Sequence, residues 1–110
     1  MAYVPERGDV VWLDFDPQRG REQAGRRPAL ALSPSLYNRR SGLALFCPLT
    51  SRVKGYPFEV FVPEGGKVSG VVLVDHIKSL DWRSRRIEFI AILPLEVVEE
   101  VLGRLEPLLF

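Results

Sequence analysis

Two short polar clusters in this sequence contain the side chains best suited to hold a phosphate group. The first is the glycine-bracketed segment 20–27, which ends in Arg26 and Arg27 and runs directly into an apolar stretch. The second is the segment 50–55, Thr-Ser-Arg-Val-Lys-Gly, which follows another apolar stretch. A guanidinium group binds two phosphate oxygens at once, and placing it at the start of a strand lowers the entropy lost on binding. The clusters therefore indicate a phosphate-binding site if they face each other.

The elements that would carry these clusters are short and mostly β-prone. Apolar and alternating runs predict strands at residues 10–15, 28–33, 43–49, 56–62, 71–74, 76–80 and 87–93, with a loop at 18–26 and a helical turn at 35–40. Pro94 then begins a helix with an apolar stripe of Val97, Val98, Val101, Leu102 and Leu105, and with Glu96, Glu99, Glu100 and Arg104 turned outward. This pattern predicts a mainly β fold with a C-terminal helix, either a curled antiparallel sheet or a small SH3-like barrel.

Length and composition restrict the class of protein. At 110 residues, with 46% hydrophobic and 26% charged positions, we expect one domain spanning residues 1–110. No apolar run approaches the roughly 20 residues that cross a bilayer, and residues 1–7 lack the pattern of a signal peptide, so we expect a cytoplasmic protein. Cys47, flanked by apolar residues, is expected to be a buried thiol. One cysteine and one histidine supply no Cys/His ligand set, so no metal site and no cofactor are expected.

The charges are distributed unevenly along the chain. Residues 1–86 carry fourteen Lys and Arg against nine Asp and Glu, whereas residues 87–110 carry one against five. Such a distribution can attract a polyanion to one face of the protein. Scattered surface arginines that serve only solvation are the alternative interpretation.

Both clusters and their flanking residues resemble the MazF/PemK family of toxin endoribonucleases. The resemblance covers nearly the whole chain and rests on the order and spacing of residues 8–17, 20–23 with 27–29, and 48–51 with 54–59. It implies a small barrel that pairs as a homodimer and that acts as a toxin of a toxin–antitoxin pair. The implied reaction is sequence-specific, metal-independent cleavage of single-stranded mRNA, which leaves a 2′,3′-cyclic phosphate and a 5′-hydroxyl. The implied partner is a cognate antitoxin whose flexible tail, expected to be acidic, lies over a basic groove.

The resemblance assigns catalytic roles to two residues. Arg27 matches the family's catalytic arginine and would stabilise the charge on the phosphoryl oxygens, and it is also a possible acid. Thr50 matches the catalytic threonine and would donate a hydrogen bond to the same oxygens. Arginine is a poor base, so the general base is left open, with Glu22 as the best carboxylate in the first cluster. Glu22 is equally compatible with a salt bridge that orders Arg26 or Arg27.

Further RNA contacts are expected from basic, hydroxyl and aromatic side chains near the clusters. Arg21 and Arg26 replace a serine and a histidine that are common in the family, and the extra positive charge should attract phosphate. The other candidates are Ser51, Arg52, Lys54 and Tyr56. Of the aromatic residues Tyr56, Phe58 and Trp82, we expect at most one to stack on a base.

Several polar positions have more than one interpretation. His76 stands where the family has glutamine, and we expect it to be structural or a peripheral RNA contact rather than catalytic. Residues 38–40 are compatible with a solvated turn or with an RNA backbone contact. Two other functions fit the same fold: a non-enzymatic toxin that binds DNA gyrase, and an RNA-binding module without activity.

Overall fold

The computed structural model describes residues 2–15 and 25–110 of the chain. Within them, a seven-stranded sheet is accompanied by two α-helices. The elements are β1 (Asp9–Asp14), β2 (Arg26–Ala31), α1 (Ser35–Ser41), β3 (Leu43–Thr50), β4 (Glu59–Val62), β5 (Gly70–Leu73), β6 (Lys78–Asp81), β7 (Glu88–Ile92) and α2 (Leu95–Leu109). Short 3₁₀ turns cover Val74–His76 and Trp82–Ser84.

The sheet is antiparallel and is organised around β3. Its strand order is β4-β5-β3-β2-β1-β7, and β6 also pairs with β3. The first half of β3 pairs with β6, where Leu43 lies opposite Asp81, and its end pairs with β5, where Leu49 lies opposite Val72. Because β3 changes its partner on one side along its length, the sheet curls instead of lying flat. The predicted mainly β fold with a curled antiparallel sheet and a C-terminal helix is confirmed.

Apolar side chains pack on both faces of the central strands. Successive residues of a strand point to opposite faces, so the neighbours Val10 and Val11 enter two different clusters, and both are fully buried. α2 covers the first cluster with Val97, Val98, Val101 and Leu105. Phe15, Phe46 and Trp82 belong to the second cluster. Burial of the whole predicted stripe except the half-buried Leu102 explains why the tail is helical and stays on the sheet.

Asn38 is a buried structural residue, so its interpretation as part of a solvated turn or an RNA contact is wrong. Its side chain is 0% exposed, and its Nδ2 donates to the carbonyl oxygens of Pro5 at 2.8 Å and Ser33 at 2.9 Å. Its Oδ1 accepts from the Ser33 hydroxyl at 2.5 Å. Both polar atoms of the Asn38 side chain are therefore hydrogen-bonded, as a buried amide requires. The bond to Pro5 links α1 to the N-terminal segment of the chain.

Three strands begin two or more residues away from the sequence expectation. β2 begins at Arg26, two residues before the predicted start, because β1 extends to pair Asp14 with Arg26. β4 begins only at Glu59, because the backbone N–H groups of residues 54–56 bind the Glu59 carboxylate instead of a neighbouring strand. The 3₁₀ turn that ends at His76 delays β6 to Lys78.

Among residues 2–15 and 25–110, no helix has the length and apolar character required to cross a bilayer.

Candidate active site in a basic groove

A groove of about 1080 Å³ opens beside the ends of β2 and β3. Every predicted site residue that the structure describes lines it: Arg26, Arg27, Thr50, Ser51, Arg52, Lys54 and Tyr56. The described lining also contains Lys67, which brings its Lys and Arg side chains to five, against the carboxylates of Glu59 and Asp75. The balance of charge makes the groove suitable for a polyanion. We call it the basic groove.

Arg27 and Thr50 are brought together by the pairing of β2 with β3. Ala29 lies opposite Pro48 in this antiparallel ladder. Arg27 lies two residues before Ala29 in β2, and Thr50 lies two residues after Pro48 in β3, so both residues stand just beyond the end of this ladder. Both residues are partly exposed where they line the basic groove. The pairing therefore directs a guanidinium group and an alcohol toward the same volume.

The backbone at Thr50 is held by the close approach of β5. Thr50 pairs with Val71, and Gly70 next to it has φ +99°. A Cβ atom on Gly70 would lie 2.2 Å from the carbonyl oxygen of Thr50, which only glycine avoids. The Thr50 Oγ1 also accepts a hydrogen bond from the backbone N–H of Arg52 at 3.1 Å. The position and the rotamer of Thr50 are thus both fixed.

The 51–58 loop, which joins β3 to β4, supplies the second side of the groove. Its side chains Ser51, Arg52 and Lys54 are exposed, as is Tyr56, at 54% of its surface. Tyr56 therefore remains available for base stacking. Phe58 instead packs against the first core cluster.

Trp82 is buried, which removes it from the three aromatic residues of which at most one was expected to stack on a base. It is 4% exposed, its Nε1 donates to the carbonyl oxygen of Asn38 at 3.1 Å, and the Arg83 guanidinium lies 5.0 Å from the ring centroid. Its indole belongs to the second core cluster.

The Arg26 side chain, which lines the groove, is held in place by the segment that leads into β7. Its Nη1 donates to the carbonyl oxygen of Arg86 at 2.6 Å, and its Nη2 lies 3.5 Å from Glu88 Oε1. Asp14 accepts two hydrogen bonds from the Arg86 guanidinium, at 2.8 and 3.0 Å. These bonds lower the pKa of the Asp14 carboxyl group and raise the pKa of Arg86. The network fixes the start of β2 immediately before Arg27.

Arg21 and Glu22 lie outside the described residues. Their predicted roles in RNA binding and in proton transfer stay predictions.

Comparison with known proteins bears on what this groove does. The profile of the family described as "PemK-like, MazF-like toxin of type II toxin-antitoxin system" matches residues 6–109. The chain belongs to this toxin family. Its fold is also that of a solved family member, since the crystal structure of MazF from Deinococcus radiodurans matches 98% of both chains with a TM-score of 0.95 and 60% identity.

Two further similarities concern activity and assembly within the MazF-like family. The Escherichia coli (strain K12) protein named endoribonuclease toxin MazF is 54% identical over 83 residues, which cover 76% of this chain and 74% of that protein. A solved MazE–MazF structure from Deinococcus radiodurans is 56% identical, covers 98% of this chain and 97% of that chain, and has a TM-score of 0.87.

The structure adds groove residues that sequence reasoning did not select. Lys67, Ser69 and Asp75 lie far from both polar clusters in sequence and reach the groove only through the folding of β4 and β5. His76 also lines the groove and is half-buried there, so the expected peripheral RNA contact stays a prediction. Glu59 could have been selected from the sequence, because a carboxylate within an otherwise apolar strand must have a specific hydrogen-bonding or ionic partner. Across residues 2–15 and 25–110, no three His, Cys, Asp or Glu side chains gather as a metal site requires.

Proposed function

We propose that this endoribonuclease toxin cleaves single-stranded mRNA at a specific sequence and without a metal ion. The ribose 2′-hydroxyl attacks the adjacent phosphorus, the bond to the 5′-oxygen breaks, and the products are a 2′,3′-cyclic phosphate and a 5′-hydroxyl. The observation that carries the proposal is the presence of Arg27 and Thr50 together on the lining of one basic groove, close to the end of the β2–β3 ladder.

The two side chains have complementary tasks in this reaction. Negative charge builds on the non-bridging oxygens as the 2′-oxygen attacks, and the planar fork of Arg27 can bind two of them. The Thr50 Oγ1 already accepts a bond from the Arg52 N–H, so its proton is free to point to a phosphate oxygen. The reaction also needs a base for the 2′-hydroxyl and an acid for the 5′-oxygen. We retain Arg27 as a possible acid and Glu22 as the candidate base.

The remaining groove residues would hold the RNA on either side of the scissile phosphate. Arg26, Ser51, Arg52 and Lys54 supply phosphate contacts, and the exposed Tyr56 supplies a ring for one unpaired base. Arg21 is proposed as a further phosphate contact. Reading the sequence then depends on contacts to splayed bases rather than on the backbone contacts.

The proposed assembly is a homodimer with a cognate antitoxin. The solved MazE–MazF complex of a close relative supports the antitoxin partner. An acidic, flexible antitoxin tail would neutralise the cationic side chains of the groove and exclude RNA from it.

The direct test is cleavage of single-stranded RNA by the purified protein in EDTA. We expect cutting at one sequence, with fragment ends that carry a cyclic phosphate and a free 5′-hydroxyl, both identified by end-specific ligation and sequencing. Arg27→Ala should lose at least 10²-fold in rate, since a principal charge-stabilising group is removed. Arg40→Ala, which alters an exposed arginine on α1 outside the groove lining, is the matched control, and a comparable loss there would instead favour the alternative RNA contact by residues 39–40.

Each alternative function has a distinct outcome in this test. Loss of cutting on chelation would disprove the metal-independent mechanism, and undiminished cutting by Arg27→Ala would disprove the assigned role. Gyrase-dependent DNA breaks with intact RNA would favour the gyrase-binding toxin. RNA retention without any product would favour an inactive binding module.

A further inference from the structure

Glu59 is a buried carboxylate that interacts with the loop forming one side of the basic groove. It is the first residue of β4 and is 7% exposed. Its Oε1 accepts hydrogen bonds from the backbone N–H groups of Lys54 at 3.2 Å, Gly55 at 3.0 Å and Tyr56 at 3.2 Å. Its Oε2 accepts a second bond from the Lys54 N–H, also at 3.2 Å.

Three consecutive peptide N–H groups converging on one anion fix the backbone of the 51–58 loop. The loop makes no ladder with a neighbouring strand, so these bonds replace those that a sheet would have made. Gly55 has φ +79°, which turns the chain so that its N–H and its neighbours' N–H groups face inward together. Hydrogen bonds to a charged acceptor are stronger than neutral ones, and they compensate for removing the carboxylate from water.

A second contact holds the far end of the same loop. The Arg104 guanidinium, from α2, donates to the carbonyl oxygen of Pro57, and it lies 3.2 Å from Glu100 on its own helix. Arg104 is therefore not simply turned outward, as its place on the helix suggested. The loop is attached to the interior by Glu59 and by the Phe58 carbonyl oxygen, which accepts a bond from the Val74 N–H at 2.9 Å, and it is attached to α2 by Arg104.

We propose that Glu59 is a positioning residue for RNA binding. Its carboxylate holds the backbone of residues 54–56 so that the side chains of Lys54 and Tyr56 already face the groove before RNA arrives. Glu59 contributes through these peptide groups and does not itself contact RNA. The inference rests on the proposed function, because it assigns the occupant of this side of the groove as the single-stranded RNA that flanks the scissile phosphate.

The sign of the predicted effect separates positioning from simple electrostatics. Glu59 is an anion on the lining of a groove that binds a polyanion, so removing its charge would by itself strengthen RNA binding. Releasing the loop has the opposite effect, because two side chains must then be ordered at the moment of binding. We expect the second effect to prevail and RNA binding to weaken about tenfold.

The test compares Glu59→Gln with Glu64→Gln in steady-state cleavage of single-stranded RNA. Both variants remove one negative charge, but Glu64 is exposed and outside the groove lining. Glu59→Gln should raise KM about tenfold and change kcat less than about twofold, whereas Glu64→Gln should change neither. An unchanged or lower KM for Glu59→Gln, or a loss confined to kcat, would overturn the proposal.

A double-mutant cycle and a second variant make the test independent of any one substitution. Lys54→Ala should weaken RNA binding in the unaltered protein and add little in the Glu59→Gln background, since both act through the loop. Additive losses would contradict the proposal.

Gly55→Ala is a second variant, which leaves Glu59 intact. The added methyl group meets no atom within 4 Å, yet it strains the loop at positive φ. It should raise KM as well, and an unchanged KM would contradict the proposal even if Glu59→Gln did not fold.

Hydrogen exchange separates failure of this inference from failure of the proposed function. In the RNA-free protein, the amides of residues 54–56 should exchange faster in Glu59→Gln than in Glu64→Gln. Faster exchange with an unchanged KM would leave the cleavage mechanism standing and remove the positioning role. Unchanged exchange would overturn the loop argument directly, whether or not the protein cuts RNA.

Discussion

The Thr50 hydroxyl is the smallest group on which the proposed reaction depends. Thr50→Val keeps the shape of the side chain and removes the hydrogen-bond donor. We expect a loss on the order of 10²-fold in the single-turnover cleavage rate, because one donor to the developing oxyanion is gone. Thr50→Ser, which retains the hydroxyl, should remain within about tenfold of the unaltered protein. Equal rates for Thr50→Val and the unaltered protein would remove Thr50 from the mechanism.

Cys47 illustrates how burial determines the chemistry of a single side chain. The thiol is fully buried, and desolvation, followed by the negative charge of Asp75, raises its pKa to about 12. Only the thiolate is nucleophilic, so at pH 8 its population should be on the order of 10³-fold smaller than for a free cysteine. We expect no reaction with an aromatic disulfide reagent in the folded protein and one thiol per chain in urea. Rapid reaction without denaturant would show that the site opens.

The junction of β3 and β5 is the place where backbone packing bears most directly on the groove. Gly70→Ala would press a methyl group against the Thr50 carbonyl oxygen at a positive φ, so the strands must separate. We expect a loss of more than about 2 kcal/mol in the free energy of unfolding, measured in urea.

Gly66→Ala is the control for this substitution. A Cβ atom there meets nothing within 4 Å, and no positive φ is required. It should change the free energy of unfolding by less than about 0.5 kcal/mol. Similar losses for both variants would show that the approach of β5 to Thr50 is not tight.

Sequence patterns predicted the elements well where local preference and packing agree. Alternation placed Val60 and Val62 inside β4 and left Phe61 exposed, and the apolar stripe of α2 was recognised by its helical period. The pattern failed at residues 56–58, because the Glu59 carboxylate, only three to five residues along the chain, binds the backbone N–H groups of residues 54–56 and turns this segment into a loop. It also failed for Asn38 and Trp82, whose buried partners come from remote segments.

The candidate site could be predicted only in part. Residues of the two polar clusters could be selected together because each cluster is contiguous in sequence. Lys67 and Ser69 could not, since only the curl of the sheet brings them to the groove. Resemblance to a family, rather than spacing alone, distinguished Arg27 from Arg26.

The stability of the folded protein should depend on pH through carboxylates that form ion pairs only in the folded state. The Arg86 guanidinium lowers the pKa of Asp14. A carboxyl group with a lowered folded pKa contributes its full stability above its unfolded pKa of about 4, and this contribution is lost as the pH falls through the folded value. Asp14→Asn should therefore lower the urea midpoint at pH 7, and the difference should shrink below about pH 4. The effect of Glu64→Gln should not vary in this way, and a constant Asp14→Asn difference would contradict the linkage.

The summed charge of the groove predicts how RNA binding responds to salt. For single-stranded RNA, a plot of log Kd against log salt concentration has a slope of about 0.7 for each phosphate that the protein neutralises. If three to five of the groove cations each neutralise one phosphate, the slope is about 2 to 3.5 in magnitude. Lys67→Ala should reduce it by about 0.7, and Arg40→Ala should leave it unchanged. Binding of an uncleavable 2′-deoxy substrate at several KCl concentrations measures this, and equal slopes for Lys67→Ala and Arg40→Ala would exclude Lys67 from the RNA-binding surface.

The strand order also has a consequence during synthesis on the ribosome. β1 leaves the exit tunnel well before β7, yet β7 is one of its two sheet neighbours. The side chain of Val10 also cannot be fully buried before α2 is present, because α2 covers that face of the sheet. Pairings of such large sequence separation cannot form on a nascent chain that is still incomplete. The toxin therefore completes this fold only after α2 has been translated, and fragments released before α2 should be inactive.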